Sequence, residues 1–350
     1  MFETKLLAWH DANARSLPWC GETDPYRIWI SEIMLQQTRT ETVAGYYRAF
    51  LADFPDVHAL AAATQEQVFK RWEGLGYYSR ARNLHAAARM IVDRFGGRLP
   101  DTAEGLLRLP GVGDYTAGAV ASIAFGRREL AMDGNAVRVF SRVFAEERCV
   151  GESATRKSLK AAGTSLMSDE RPGDFNQAIM GLGNMICVPL RPKCDLCPVR
   201  AFCLAEKRGI QAGLPHLPPK PEKKRMPVGV ALVRQDDRIL LVRRPDEGLL
   251  AGLWGFPAFE NARSEADVRE ALAETGVVVG RGERLPEAEH VFTHRVWKMK
   301  GWRFTAVSAP PSARWVDATE LRQAAIPTAF RLYRQIAEET INGIHTEETD

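Results

Sequence analysis

The 350-residue chain contains no apolar run approaching the roughly 18 residues of a membrane-spanning helix. Its first residues, MFETKLLAWHDANARSLPW, lack the uninterrupted apolar stretch of a secretion signal. Both absences argue against insertion and export, so a soluble cytoplasmic protein with no membrane partner is expected. There is no internal repeat, which argues against solenoids and propellers, and no long low-complexity segment. An excess of one charge is missing too, since 47 basic and 44 acidic residues leave a formal net charge of +3. Overall charge therefore identifies no partner. Cysteine is sparse, with six in all, and a reducing compartment does not favour structural disulfides between them.

What is present is enough apolar material, 45% of residues, for two domains each with its own core. From Phe2 to about Arg208 apolar residues recur at three- and four-residue intervals, as at Tyr26, Trp29, Ile30, Ile33 and Met34, the period of a helix face. Pro100, Asp101 and Glu104 read as a helix start capped by Asp101 ahead of Leu106 and Leu107. Ala117 to Phe125 reads as a buried helix. Between Gly209 and Met226 the chain becomes GIQAGLPHLPPKPEKKRM, where prolines fix φ and lysines repel one another, which predicts a stiff exposed linker. Beyond it, VGVALV and RILLVRR read as strands joined by Gln235-Asp236-Asp237, followed by one helical segment near Glu265 to Thr275. The expected division is a helical domain over 1–208, a linker over 209–226 and an α+β domain over 227–350.

Charge is unevenly divided, with 31 basic against 25 acidic residues up to Arg225 and 16 against 19 beyond it. The helical half is thus the candidate nucleic-acid binder. Four cysteines crowd into Cys187-x6-Cys194-x2-Cys197-x5-Cys203. Four thiolates in one short span suit the ligand count of either a tetrahedral zinc or a [4Fe-4S] cluster. Zinc more often uses two separated Cys-x2-Cys pairs, and the single such pair here favours the cluster. A second motif, Leu109-Pro110-Gly111-Val112-Gly113-Asp114-Tyr115-Thr116-Ala117, places glycines between two helices. Around Leu109, Gly111 and Gly113 the backbone and the following helix N-terminus can cradle a phosphate, although a plain turn between core helices also uses glycine.

In this order the two motifs resemble those of the helix-hairpin-helix DNA glycosylases that carry an iron-sulfur loop, the superfamily of endonuclease III. The stretches SEIMLQQT from Ser31, GLGYYSR from Gly74 and MDGN from Met132 narrow the similarity to the MutY-type adenine glycosylases, over essentially the whole chain. The resemblance implies a multidomain protein: an all-α helix-hairpin-helix glycosylase domain with a [4Fe-4S] loop over 187–203, and an α+β Nudix (MutT)-like C-terminal domain. It implies a monomer that acts on double-stranded DNA, hydrolysing the N-glycosidic bond of adenine mispaired with 8-oxoguanine or guanine.

By the same resemblance Glu32 protonates the departing adenine and helps activate water, Asp133 stabilises the sugar cation, and Tyr115 and Asn135 support them. Without the family, Glu32 reads as a surface carboxylate and Asp133 as a simple helix N-cap. Gln37 and Tyr77 match the wedge residues that fill the gap left by a flipped base. Trp19, Gln36 and Gln177 are candidates for the adenine pocket or its rim. Endonuclease III-type enzymes place a lysine where this chain has Tyr115, and a phenol cannot form their Schiff base, so a monofunctional enzyme is expected. Cys20 follows Pro18-Trp19 where the family commonly has arginine, which puts that arginine's contact in doubt.

In the C-terminal half Gly255 to Val277 has the spacing of a Nudix box. Arg269, Glu270, Glu274 and Gly276 fall in place, but Asn261 and Ala273 stand where two glutamates belong. Losing two carboxylates weakens magnesium binding, so a Nudix-like fold used for recognition is expected. There Phe292, Thr293 and His294 match the Phe-Ser-His loop with which the family reads 8-oxoguanine. Two other readings remain open: a nucleotide pyrophosphohydrolase with an accessory DNA-binding half, and a non-catalytic damage sensor.

Overall fold

A computed structural model describes residues 1–13, 17–219 and 221–347. Lys220 of the expected linker and residues 348–350 of the expected second domain lie outside the described residues. The chain divides into two compact units. One gathers Met1–Ala63 and Arg82–Pro219, and the other gathers Thr64–Ala81 and the chain beyond Pro219.

The first unit is helical. Asp24 opens the helix Pro25–Leu35 by accepting from Tyr26 N and Arg27 N, with proline at its first turn, where a missing N–H costs nothing. This helix packs on Asp114–Phe125, and Asp114–Phe125 in turn packs on Pro172–Met185. Thr116 to Ser122 are all buried, as the apolar stretch predicts. Pro172–Met185 also meets Phe2–Asn13 and Gly134–Val143, around a core that includes Phe2, Leu6, Phe140, Phe175 and Ile179. The helix expected after Pro100 is the short Ala103–Leu106, and its cap is Thr102, whose side chain accepts from Gly105 N at 3.2 Å. Asp101 instead pairs with Arg127. The two residues are adjacent cap formers, and the one in register with the third helical N–H takes the role.

The second unit is built on a sheet. Lys224–Gln235 and Arg295–Ser308 lie parallel, paired from Lys224 with Arg295 to Arg234 with Thr305. Arg238–Arg243 folds back on the first strand through Asp236, which has φ 52°, and Glu283–Val291 runs antiparallel to Arg295–Ser308. Val228, Val230 and Leu232 point into one core and Ala231 and Val233 into another, the period-2 alternation of a strand buried on both faces. Val268 and Leu272 of the helix Glu265–Glu274 cover one face. Tyr333, Ala337 and Ile341 of a second long helix, Arg331–Glu347, cover the other. The expectation of a single helical segment is therefore too small, since Ala318–Gln323 is helical as well.

Thr64–Ala81, read from sequence as part of the helical half, packs with this second unit. Its helix Gln65–Arg71 starts in a Thr64–Gln67 capping box. Glu66 Oε1 accepts from Trp254 Nε1 at 2.7 Å and from Arg314 Nη1 at 3.3 Å. Lys70 Nζ donates to Arg322 O at 2.7 Å, and Glu73 pairs with Arg334.

Candidate active site

Helix Pro25–Leu35 is apolar nearly all round, and Glu32 is buried within it at 6% exposure. This is no surface carboxylate. Burial pushes its pKa up to about 7; the Tyr115 hydroxyl, donating to Glu32 Oε2 at 2.7 Å, opposes the rise, and the charge of Asp133 adds to it. Tyr115 itself is held far above its ordinary value by burial and then by Glu32, so it remains a neutral donor.

Asp133 precedes helix Gly134–Val143 and caps it, accepting from Ala136 N at 2.7 Å through Oδ1. Its other oxygen accepts from Asn135 Nδ2 at 2.8 Å. The N-cap reading is thus correct but incomplete, because the capped carboxylate also faces a cavity. Burial raises its pKa, and the two donors and the charge of Arg138 oppose that rise. Helix Gly134–Val143 then carries the connection onward: Arg138 Nη2 donates to Asn135 Oδ1 and to Gly183 O, each at 2.7 Å, and Arg138 Nε to Cys187 O at 2.7 Å.

Glu32, Tyr115, Asp133 and Asn135 line one cavity of about 550 Å3, within the usual range for small-molecule sites. Trp19 and Gln177 also line it, whereas Gln36 is not among its lining residues and donates from Nε2 to Thr116 Oγ1 at 2.9 Å. Cys20 lies on the same wall. The lining includes Trp9, Met180 and Gly181 as well, which no sequence motif marks. Their only signal is helical spacing, with Gly181 one turn beyond Gln177.

Gln37 and Tyr77, the two expected wedge residues, are both exposed and both held at positive φ, 56° and 48°. Such a backbone is uncommon for a non-glycine residue and is strained for a bulky one. Around Tyr77 the strain is held in place: Trp72 Nε1 and Arg80 Nη2 donate to Gly76 O at 3.1 and 3.2 Å, and the Arg80 guanidinium lies 5.6 Å from the Tyr77 ring centroid. In the hairpin, the Leu109 side chain is buried. Gly111 has φ 77°, and a Cβ there would fall 2.6 Å from Asn83 Cβ. Gly113, at the N-cap of Asp114–Phe125, has open space around it.

Cys187, Cys194, Cys197 and Cys203 line a second, small cavity of about 30 Å3 with Arg142, Glu206 and Gln211. Gln211 Oε1 is buried without a hydrogen-bond partner. Burial, with the charges of the other three cysteines, pushes the Cys197 thiol up to about 11, and Cys194 and Cys203 are raised in the same way. Bound metal reverses such a penalty by holding thiolates deprotonated, so the donor set fits a cationic centre. Among the described residues no three His, Cys, Asp or Glu side chains converge on a single-ion site. The fully buried Arg142 closes the wall, donating to Val188 O at 2.8 Å, Pro189 O at 2.9 Å, Leu214 O at 3.0 Å and Cys187 Sγ at 3.3 Å.

In the sheet-containing unit, Phe292, Thr293 and His294 form the turn between Glu283–Val291 and Arg295–Ser308. Phe292 packs on Trp297 and His290, at centroid distances of 5.0 and 4.6 Å, leaving Thr293 and His294 exposed. Thr293 Oγ1 lies 3.4 Å from Tyr77 OH. The expected Nudix-box carboxylates Glu270 and Glu274 are exposed on their helix, Arg269 pairs with Glu265 at 3.7 Å, and Asn261 occupies a turn at φ 70°.

Two families match separate stretches of the chain. A family described as HhH-GPD superfamily base excision DNA repair protein matches residues 30–163, and a NUDIX domain matches 229–335. Adenine DNA glycosylase from Mus musculus is 36% identical, covering 98% of this chain and 79% of its own length. Its counterpart from Homo sapiens is 37% identical, covering 95% and 74%. Among solved structures, a thermostable thymine-DNA glycosylase is 29% identical with a TM-score of 0.54, covering 59% of this chain and 95% of its own. Among the described residues no helix is long and apolar enough to cross a membrane.

Proposed function

The chain belongs to the adenine DNA glycosylases, and on that premise we propose that it hydrolyses the N-glycosidic bond of adenine opposite 8-oxoguanine or guanine in duplex DNA, as a monofunctional monomer. The observation that carries this reading is the pair of carboxylates, buried Glu32 and half-buried Asp133, on one cavity of about 550 Å3. With a pKa of about 7, Glu32 is substantially protonated near neutrality and supplies the proton that turns adenine into a leaving group. The C1′–N9 bond breaks as that proton moves to a ring nitrogen. Glu32, now ionised, takes a proton from the water whose oxygen bonds to C1′. Asp133, held by Asn135 and Ala136 N, opposes the positive charge on the sugar, and burial makes that interaction count for more than it would in water. Tyr115 holds Glu32 in place and offers no amine, so no imine with the sugar forms and the strand is left intact.

Reaching the bond requires flipping the adenine, at a cost of a few kcal/mol. Gln37 and Tyr77, held out by strained backbone, fill the vacated space, while the backbone N–H groups around Gly111 and Gly113 donate to a DNA phosphate. Trp19 and Gln177 face the flipped base; Gln36 supports the hairpin through Thr116. Cys187, Cys194, Cys197 and Cys203 would hold a [4Fe-4S] cluster, whose ligation would brace the loop 187–203. What favours a cluster over a tetrahedral zinc is the spacing, with a single Cys-x2-Cys pair where zinc sites more often use two. Thr293 and His294 read the altered edge of 8-oxoguanine. A cytoplasmic, DNA-associated location suits this substrate.

The test is single-turnover release of adenine from A:8-oxoguanine, A:G and A:T duplexes. Release from the first two with A:T spared is expected. Magnesium-dependent pyrophosphate release from nucleotides, or tight duplex binding without base release, would overturn the reading in favour of a pyrophosphohydrolase or a damage sensor.

A further inference from the structure

Glycine is a poor helix former, second only to proline, so glycine inside a helix calls for a reason. For most of these positions in the helical unit the reason is crowding. A Cβ on Gly163 would fall 2.7 Å from Leu130 Cδ2, on Gly173 2.8 Å from Ile123 Cα, and on Gly183 2.6 Å from Asn135 Cβ. Gly181, in the same helix as Gly173 and Gly183, differs. A Cβ there would meet Trp9 Cη2 and Cζ3, both at 3.8 Å, which is ordinary contact. Packing does not demand glycine at 181, yet Gly181 and Trp9 both line the cavity that holds Glu32, Tyr115 and Asp133. What the missing side chain leaves is space beside an indole ring.

We propose that Gly181 keeps open a niche against Trp9 that admits adenine carrying a small alkyl group on its exocyclic amine, so that this enlarged base is excised as well. The inference rests on the reading that the cavity takes the flipped adenine. Three features support it. The cavity, about 550 Å3 in volume, exceeds what a bare purine occupies. Trp9 offers an apolar aromatic surface to an alkyl group. The chemistry is unchanged, because alkylation of the exocyclic amine leaves every ring nitrogen in place to accept the proton. The C1′–N9 bond breaks with its electron pair leaving on the purine, and the purine takes one proton. The oxygen of water bonds to C1′ and gives up the balancing proton. No oxidant, reductant or further reactant is needed.

The experiment compares single-turnover release of N6-methyladenine and of adenine, each opposite 8-oxoguanine, by the full chain and by Gly181→Leu. One methylene in an apolar pocket is worth about 10- to 200-fold in discrimination. With the niche open, the natural chain should release both bases at rates within about tenfold of each other, whereas filling it in Gly181→Leu should lower the methylated-to-unmethylated ratio by at least about tenfold. Gly181→Ser, with a shorter reach, should give an intermediate ratio and guards against a leucine variant that does not fold. Equal losses on both substrates, or a ratio unmoved in both variants, would mark Gly181 as structural and overturn the proposal. Release of adenine but not of N6-methyladenine by the natural chain would overturn it while leaving the glycosylase reading intact; release of neither would overturn both.

Discussion

Tyr115 tethers Glu32: its hydroxyl donates to Glu32 Oε2 across 2.7 Å, inside a wall where burial alone drives the carboxyl towards its neutral form. The bond stabilises the carboxylate and so pulls the pKa down, against burial. Tyr115→Phe removes that pull, and the Glu32 pKa should rise above its value of about 7. Activity that needs the protonated acid falls as pH rises through this pKa, so the alkaline limb of the single-turnover pH–rate profile should move upward in the variant. A limb that stays in place or moves down would contradict the tether, whatever the change in maximum rate.

Glu32→Gln should lower adenine release by at least about 100-fold, the usual worth of a general acid, and leave duplex affinity unchanged. It should also stabilise the fold in a pH-dependent way. The folded-state pKa is raised from 4.5 to about 7, so the native chain binds the proton more tightly than the unfolded one. Wild-type stability is then greatest below the unfolded value and is lost as pH rises through the folded one. The advantage of Glu32→Gln over wild type should be near zero at low pH and approach roughly 3 kcal/mol above about pH 8. Urea unfolding at both ends of this range measures it.

Asp133 has two tasks that substitution can separate. Asparagine caps a helix about as well as aspartate, whereas alanine costs about 1 kcal/mol. Asp133→Asn should keep the melting temperature and lose most adenine release, because the charge opposite the sugar is gone. Asp133→Ala should lose both. A stable, active Asp133→Asn would reduce Asp133 to the cap that its position before Ala136 suggests.

The features legible in the sequence are those with a local physical cause. The spacing of Tyr26, Trp29, Ile30, Ile33 and Met34 announces a helix face, the continuous apolar run from Ala117 announces burial on all sides, and four closely spaced cysteines are kept near one another by the short span of chain between them. What escaped depends on distant parts of the chain. Nothing near Glu66, Lys70 or Glu73 indicates that their partners are Arg314, Arg322 and Arg334, so the packing of Thr64–Ala81 with the sheet was not foreseen. Trp9, Met180 and Gly181 become cavity residues only once two helices meet. Asp101 and Thr102 are both good caps, and a one-residue register decided between them.

Arg142 is fully buried beside the cysteines, with three backbone carbonyls and Cys187 Sγ as its acceptors. Replacing it by methionine keeps volume but strands those carbonyls, each at a cost of about 1–3 kcal/mol if left buried. Arg142→Met should therefore purify with lowered iron and sulfide content and a lowered melting temperature, whereas the wild type should be brown. Metal analysis decides the point: zinc without iron or sulfide in the wild-type protein would remove the cluster altogether.

Thr293 Oγ1 and Tyr77 OH stand 3.4 Å apart, long for a hydrogen bond between hydroxyls but within reach of a small adjustment. Thr293 sits at the exposed turn beyond Phe292, which Trp297 and His290 anchor; Tyr77 stands on strained backbone under the Arg80 guanidinium. Tyr77 and the turn thus belong to one unit, so under the proposed function a lesion that engages the Thr293 hydroxyl should also bear on Tyr77. Thr293→Val keeps the branched shape and removes the hydroxyl, and His294→Ala removes the neighbouring ring. Each should lower selectivity for A:8-oxoguanine over A:G by about tenfold, the equivalent of one lost hydrogen bond of about 1.4 kcal/mol, and leave the A:G rate near wild type. Thr293→Ser should retain the selectivity. Because the two hydroxyls are neighbours, Tyr77→Phe combined with Thr293→Val should cost less selectivity than the two single losses added together. Equal falls on both mispairs, or strictly additive effects, would mean that the turn and the wedge act independently of the oxidised base.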